Sequence, residues 1–529
     1  MFGAMIDGVA DASMTGPAAQ SPRPDDRQHS VSRSSSEPVL GPGRASRQTH
    51  TTASSQPASA PAALLDPALM IAGCLTFALA LFQSAILNDG DTYWQIGTGG
   101  WILDHWAVPA TDPFSFTAGD RHWFAHEWLA EMLMALAFRA GGLPGVMMLA
   151  AGAVGLTAAV LLHHLRRFLP GFYAAVAMII AMAATAPSML ARPHLLAWPC
   201  LALWCGGLVT ARARHTAPSL ALLPLMVVWV NLHGSFMVGL LLPVAFMIEA
   251  LLDPAAERRR VMVSWGGFIL AAWVLALLNP DLLAGTLFPF HLLGMTSLAQ
   301  IGEWRPTAFT GLRPTEIIIL GGLALGLSGR VRLPPIRLLL FLGLVHGALA
   351  HGRHEQLLGI LGVLIVAEPL GSSLGRGYAK PSGRKWRLVA AGSALIAVAA
   401  FAGRLALPLD ALHSGAAFAA TLDRVPPAVR ARPVLNEYGL GGPLIFNGVR
   451  PFIDGRTDLY GDAFVGRYNR IVAPDRSELE RALAQFGISW TIFPIGHPLL
   501  PVLDQQAGWR RLIEQDGLVI HVREDQAQH

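Results

Sequence analysis

Beyond residue 63 the chain is dominated by apolar runs separated by short polar breaks. Eleven runs stand out, at about 67–87, 143–162, 171–189, 194–211, 217–232, 235–252, 261–279, 315–329, 335–350, 355–370 and 387–407. A helix of roughly twenty apolar residues crosses the hydrocarbon core of a bilayer. The pattern therefore predicts a polytopic α-helical membrane protein, although several runs are short or interrupted by proline. Residues 1–63 lack any apolar period and are rich in Ser, Pro, Ala, Gln and Arg. Such a segment cannot bury enough surface to offset its ordering entropy, which predicts a disordered tail. No short apolar core follows a basic start, so the tail does not read as a signal peptide.

After residue 407 the pattern changes again. Short β-like runs at Pro443–Phe446, Pro451–Asp454, Ile488–Pro494 and Leu518–Val522, with a helix-like segment Ser477–Phe486, predict a small α/β domain over 408–529. Residues 64–407 form the transmembrane domain, with a long first outer loop at 88–142. Loops of that length are usually functional or disordered, and the Trp, Phe and acidic residues here argue against disorder.

Composition sharpens this picture. Hydrophobic residues make up 53% and charged residues only 14%, where a soluble protein carries about a quarter charged. A soluble enzyme and a wholly disordered protein are both excluded. A net charge of +4 from 39 basic and 35 acidic residues is too balanced to indicate a nucleic-acid partner. Cys74, Cys200 and Cys205 each lie in an apolar run and read as small hydrophobes.

Basic residues in alternate loops set the orientation. Fifteen Lys and Arg fall in one set of loops, from Arg166 to Arg387, and six in the other. The five arginines of the tail join the first set. This predicts a cytoplasmic N-terminus, a multi-pass protein of the bacterial inner membrane, and a periplasmic C-terminal domain.

The residues with chemical potential gather on the outer side. The first outer loop opens with Asn88-Asp89-Gly90-Asp91-Thr92-Tyr93-Trp94, followed by an amphipathic stretch to Trp106 suited to the membrane interface. It continues through Asp112-Pro113-Phe114-Ser115 and ends in His126-Glu127-Trp128-Leu129-Ala130-Glu131. By themselves Asp89 and Asp91 suit a solvated helix-terminal turn as well as a pair of divalent-cation ligands. A zinc-protease helix is excluded, because Ala130 stands where its second His is required. Other outer loops hold Arg192-Pro193-His194, Asn231-Leu232-His233-Gly234, Glu303-Trp304-Arg305 and Arg353-His354. Each alone fits capping or snorkelling. Together they put acids, imidazoles and guanidiniums at one end of the bundle, suiting a phosphate headgroup and a general base. Few ionisable groups lie at mid-span, and no internal repeat is visible, which disfavours a transporter.

The acid at the outer end of the first span, Asp89, followed four residues later by Tyr93, resembles the first-loop motif of GT-C membrane glycosyltransferases. Further likeness is to a bacterial GT-C-like group (RgtA/B/C/D-like, mannosyltransferase-like). It lies in Asp91-Thr92-Tyr93-Trp94-Gln95, Asp112–Ser115, His126–Leu129, Asn231–Gly234 and the string from Phe452 through Asp454 and Arg456 to Gly461. The resemblance implies a polyprenyl-phosphate-linked sugar donor and a lipid, glycan or protein acceptor. On it, Asp89 is the base by position, with Asp91 a competitor or metal partner; a divalent Mg or Mn is possible, and no cofactor is certain. Tyr93, Trp94, His126, Glu127, Arg192, His194, His233, Glu303, Arg305, Arg353, His354, Asp454 and Arg456 are the candidate substrate-binding residues. Gly90 departs from the better-known members, where an acid often follows the first. By itself Asp454–Gly461 also suits a strand, a tight turn and a local Asp454–Arg456 pair. A non-catalytic protein that binds, moves or scaffolds lipid-linked envelope glycans is the alternative. The two readings divide on whether the aspartates share a cavity with Arg192 or Arg353, or face bulk water.

Overall fold

The computed structural model describes residues 66–119, 121–374, 383–407, 409, 415–473 and 476–524. The segment read as a disordered tail lies outside the described residues. Each of the eleven apolar runs falls on a helix. The bundle runs through α1 (Pro67–Leu81), α2 (Gly90–His105), α3 (Trp128–Leu165), α4 (Gly171–Thr185), α5 (Pro193–Ala213), α6 (Leu223–Leu232) and α7 (Phe236–Leu251). It continues with α8 (Arg258–Ala276), α9 (Leu282–Leu293), α10 (Pro314–Leu327), α11 (Pro335–Ala350), α12 (Gly352–Leu374) and α13 (Arg384–Ala406). Among the described residues, six helices are long and apolar enough to cross a bilayer, by length and composition. Helix α9 was not expected: its 12 residues are too few to read as a span.

Local sequence sets the helix boundaries. Asp66 caps α1 by accepting from the Ala68 N–H at 3.0 Å, with Pro67 in the first turn. Gly141 and Gly142, the latter at φ 61°, break α3 just before Pro144, so the apolar run from 143 departs at a new angle. Helices α1 and α3 meet at Gly73 and Gly155, where a β-carbon on Gly155 would stand 2.7 Å from the Gly73 carbonyl oxygen. Small residues at such crossings let membrane helices approach closely. Large apolar side chains such as Leu79, Phe172, Leu241, Leu270 and Leu395 remain exposed around the bundle, as lipid-facing residues do.

The C-terminal region contains α14 (Ala416–Asp423), α15 (Pro427–Arg430), α16 (Gly441–Phe446), α17 (Thr457–Val472), α18 (Arg476–Gln485) and α19 (Leu500–Asp504). Its mixed sheet has the order β1 (Val434–Asn436), β2 (Trp490–Pro494), β4 (Leu518–Arg523), β3 (Trp509–Gln515). β1 and β2 are parallel with Val434 opposite Trp490, and β4 pairs antiparallel with both β2 and β3. Two expected strands are corrected. Pro443–Phe446 lies in helix α16, and Pro451–Asp454 is irregular backbone held by the Asn436 side chain, which bonds Phe452 N and Ile453 O. Short apolar runs do not declare their period.

The first loop joins this C-terminal region. Trp94, Ala118, Trp123 and Ala125 pack in one apolar core with Leu435, Phe452, Ile453 and Tyr460. Thr117 Oγ1 donates to Phe452 O at 2.6 Å, and Arg121 Nη1 to Tyr460 O at 2.6 Å. Helix α2, expected to lie in the interface, buries Trp94, Ile96 and Ile102, while Asp104, His105 and the following Trp106 are exposed.

Candidate active site

Two helix starts place the charged centre. Asp89 caps α2, accepting from the Asp91 N–H at 2.8 Å. Arg192 is the extended residue before Pro193, which opens α5. Gly90 between the aspartates packs so tightly on the C-terminal region that a β-carbon there would overlap the Gly439 carbonyl oxygen. That contact explains why no acid follows Asp89 in this chain.

The Arg192 guanidinium ties three carboxylates together. Nε lies 2.6 Å from Asp89 Oδ2, Nη2 2.7 Å from Asp91 Oδ2, and Nη1 3.1 Å from Glu303 Oε2. The other Glu303 oxygen is 3.1 Å from Arg353 Nη1, and Arg353 lies over the Trp304 ring at 4.6 Å. Burial lifts Asp91 to about 6, helped by Asp89 and opposed by Arg192. For Arg192 burial alone would favour loss of the proton, but Asp91, Asp89 and Glu303 outweigh it and hold the group charged. Burial also acts to raise Glu303, yet Arg353 and Arg192 bring it below the usual carboxylate range.

These residues line a cavity of about 220 Å³ with a wall of different character. His126 and His233 place Nε2 at 3.7 and 3.6 Å from Glu127 Oε1, and the His194 ring centre is 6.0 Å from that of His233. Burial raises Glu127 and Asp458 and pushes His233 well below its ordinary value. One side of the cavity is thus ionic, and the other carries acids and an imidazole biased towards neutrality.

Trp94 bridges the two layers. Its indole N–H donates to Asp91 Oδ1 at 3.0 Å, and its ring faces the Arg456 guanidinium at 5.9 Å. Arg456 is buried among Trp94, Phe114 and Trp123, bonding Asp454 at 2.6 Å and Asp112 at 2.7 Å. Burial alone would raise Asp112, but Arg456 and Ser115 bring it below its ordinary value. The expected Asp454–Arg456 pair is present, but it precedes helix α17 rather than following a strand.

Asp89, Asp91, Trp94, His126, Glu127, Arg192, His194, His233, Glu303, Arg353 and Arg456 all line the cavity. Tyr93, Arg305, His354 and Asp454 do not. Tyr93 packs edge-on to Phe446, the Arg305 side chain is exposed, His354 sits beside Trp304, and Asp454 is sealed beneath Arg456. Asp458, Thr457, Tyr438 and Gln95 line the cavity without having been singled out. Asp458 lies within the distinctive 454–461 string, which was the available signal. Tyr438–Gly442 runs from the end of β1 into the first turn of α16. Its glycines serve close packing: a β-carbon on Gly442 would overlap Gly90 O.

A divalent cation does not fit Asp89 and Asp91 in this arrangement. Arg192 occupies the space between their carboxylates, and among the described residues no three His, Cys, Asp or Glu side chains converge as a ligand set.

Fold and site together define a class: a mostly helical polytopic membrane protein with a small C-terminal mixed sheet, GT-C-like in architecture. No family model and no curated protein sequence matches the chain. Among solved structures it is similar to the archaeal oligosaccharyltransferase AglB from Archaeoglobus fulgidus in complex with an inhibitory peptide and a dolichol-phosphate. That match has a TM-score of 0.54 at 12% identity over 81% of this chain and 69% of that one. The apo form of the Archaeoglobus fulgidus oligosaccharyltransferase gives 0.52 at 12% identity, with the same coverage. ArnT from Cupriavidus metallidurans bound to undecaprenyl phosphate aligns over 86% of this chain and 97% of its own, at 12% identity and a TM-score of 0.48, too low to carry weight.

Proposed function

We propose that this protein is a GT-C-type glycosyltransferase of the bacterial inner membrane. It transfers a sugar from a polyprenyl-phosphate donor to a lipid, glycan or protein acceptor on the outer face. The observation that carries this reading is Arg192, held by Asp89 and Asp91 in the same cavity as Arg353. The aspartates do not face bulk water, which favours catalysis over a purely binding or scaffolding role.

On this reading the acceptor hydroxyl attacks the anomeric carbon as the bond from that carbon to the phosphate oxygen breaks. The hydroxyl proton passes to the Asp89–Asp91 pair, and the electron pair of the broken bond leaves with the polyprenyl phosphate. Arg192 and Arg353 stabilise the departing phosphate, because preorganised cations act most strongly where charge develops. Raised basicity suits Asp91 to accept a proton, while Asp89 anchors Arg192. Glu127, Asp458 and His233 supply hydrogen bonds to sugar hydroxyls. No step requires a metal.

The test is to incubate purified full-length protein with a panel of polyprenyl-phosphate sugars and follow release of polyprenyl phosphate. Release by the wild type, lost in Asp89→Asn and Asp91→Asn proteins of unchanged Tm, supports the reading. Equal release by wild type and both variants overturns it.

A further inference from the structure

A second cavity, of about 360 Å³, lies at the opposite end of α5 from Arg192. The 21 residues of α5 span about 30 Å at 1.5 Å per residue, roughly a bilayer core. The cavity is lined by His163, His164, Arg167, Thr210, Arg214 and the apolar pair Leu203 and Leu222, among others, and no carboxylate lines it.

Arg167 is fixed by uncharged groups. It donates to Thr210 Oγ1 at 3.0 Å and to His163 Nε2 at 2.7 Å. Neighbouring arginines are treated differently: Arg166 is paired with Asp66, Arg212 with Glu249, and Arg337 with Glu249 and Glu368. Among the described residues, Arg167 and Arg214 have no carboxylate partner. Burial, and then the like charge of Arg214, lower the Arg167 pKa. His164 is 5% exposed and its Nδ1 has no hydrogen-bond partner, leaving a buried polar atom unsatisfied in the wall of this cavity.

Two guanidiniums lining one cavity without an acid call for an anion. The apolar Leu203 and Leu222 that line the same cavity suit the glycerol and upper chain of a lipid better than a free ion. We propose that this cavity binds the phosphate of an anionic membrane phospholipid on Arg167 and Arg214, with its upper acyl region against Leu203 and Leu222. Basic pockets between membrane helices recognise lipid head groups in this way.

The experiment is native mass spectrometry of the full-length protein titrated with phosphatidylglycerol or phosphatidylcholine, beside R214Q and R167Q/R214Q. Arg214 is exposed, so R214Q preserves the fold even if the double variant does not. The expected result is preferential retention of phosphatidylglycerol, weakened roughly fivefold in R214Q and about thirtyfold in the double variant. Equal retention of both lipids by the wild type, or unchanged retention in R214Q, overturns the proposal. Displacement by inorganic phosphate at the lipid's own concentration also overturns it, because the site would then read a free anion.

Discussion

Glu303 bridges Arg192 to Arg353, one carboxylate oxygen 3.1 Å from each guanidinium. It occupies both cations that the proposed mechanism assigns to the donor phosphate. Replacing a charged competitor with a neutral amide leaves the arginines freer to bind phosphate. Glu303→Gln is expected to tighten polyprenyl-phosphate binding by about tenfold, in line with charge-assisted hydrogen bonds. Titration of purified protein with polyprenyl phosphate measures this; unchanged affinity would show that Glu303 does not compete.

Asp89→Asn and Asp91→Asn each remove a carboxylate held by Arg192. Loss of general-base assistance is expected to lower kcat by about 10²- to 10⁴-fold. Release of polyprenyl phosphate in single-turnover conditions measures it. A large rise in KM without a change in kcat would instead assign the pair to binding.

Asp91 has its pKa raised to about 6. A raised carboxylate pKa means that the charged form is lost as pH falls through that value. Activity is therefore expected to decline below about pH 6, earlier than an ordinary carboxylate would cause. A pH–rate profile checks this, and activity flat down to pH 5 would exclude ionised Asp91 from the mechanism.

Arg456 neutralises two buried carboxylates, Asp112 and Asp454. Arg456→Met strands both, and breaking a buried pair costs about 3–5 kcal/mol. Thermal unfolding followed by tryptophan fluorescence is expected to show a lower Tm, with the signal of Trp94 and Trp123 altered. An unchanged Tm would place the stability of this region elsewhere.

Gly455 lies directly against Asp91, so a β-carbon there would overlap Asp91 Oδ1. Gly455→Ala is expected to displace the Asp91 carboxylate and reduce kcat by at least about tenfold while altering Tm little. A misplacement of about 1 Å is enough for such losses. Full activity in this variant would mean that Asp91 tolerates displacement.

The membrane bundle was legible because a bilayer forces long apolar runs, and that requirement is written locally. Asp89, Asp91 and Arg192 were also visible, as polar clusters at the ends of such runs. Helix α9 and strands β1 and β3 were not, because they are short or lack a clear alternating period. The same limit left Tyr93, Arg305, His354 and Asp454 grouped with residues that line the cavity, since a motif does not say which way a side chain points.

The sequence by itself determined that this chain is a polytopic helical membrane protein with acids and arginines crowded at loop ends, because burial in lipid constrains composition residue by residue. Only the tertiary structure decided that Arg192 reaches Asp89, Asp91 and Glu303, and that Arg456 fastens the first loop to the C-terminal region. Those contacts join segments more than a hundred residues apart. Their partners are chosen by packing and charge neutralisation in three dimensions, which no local pattern encodes.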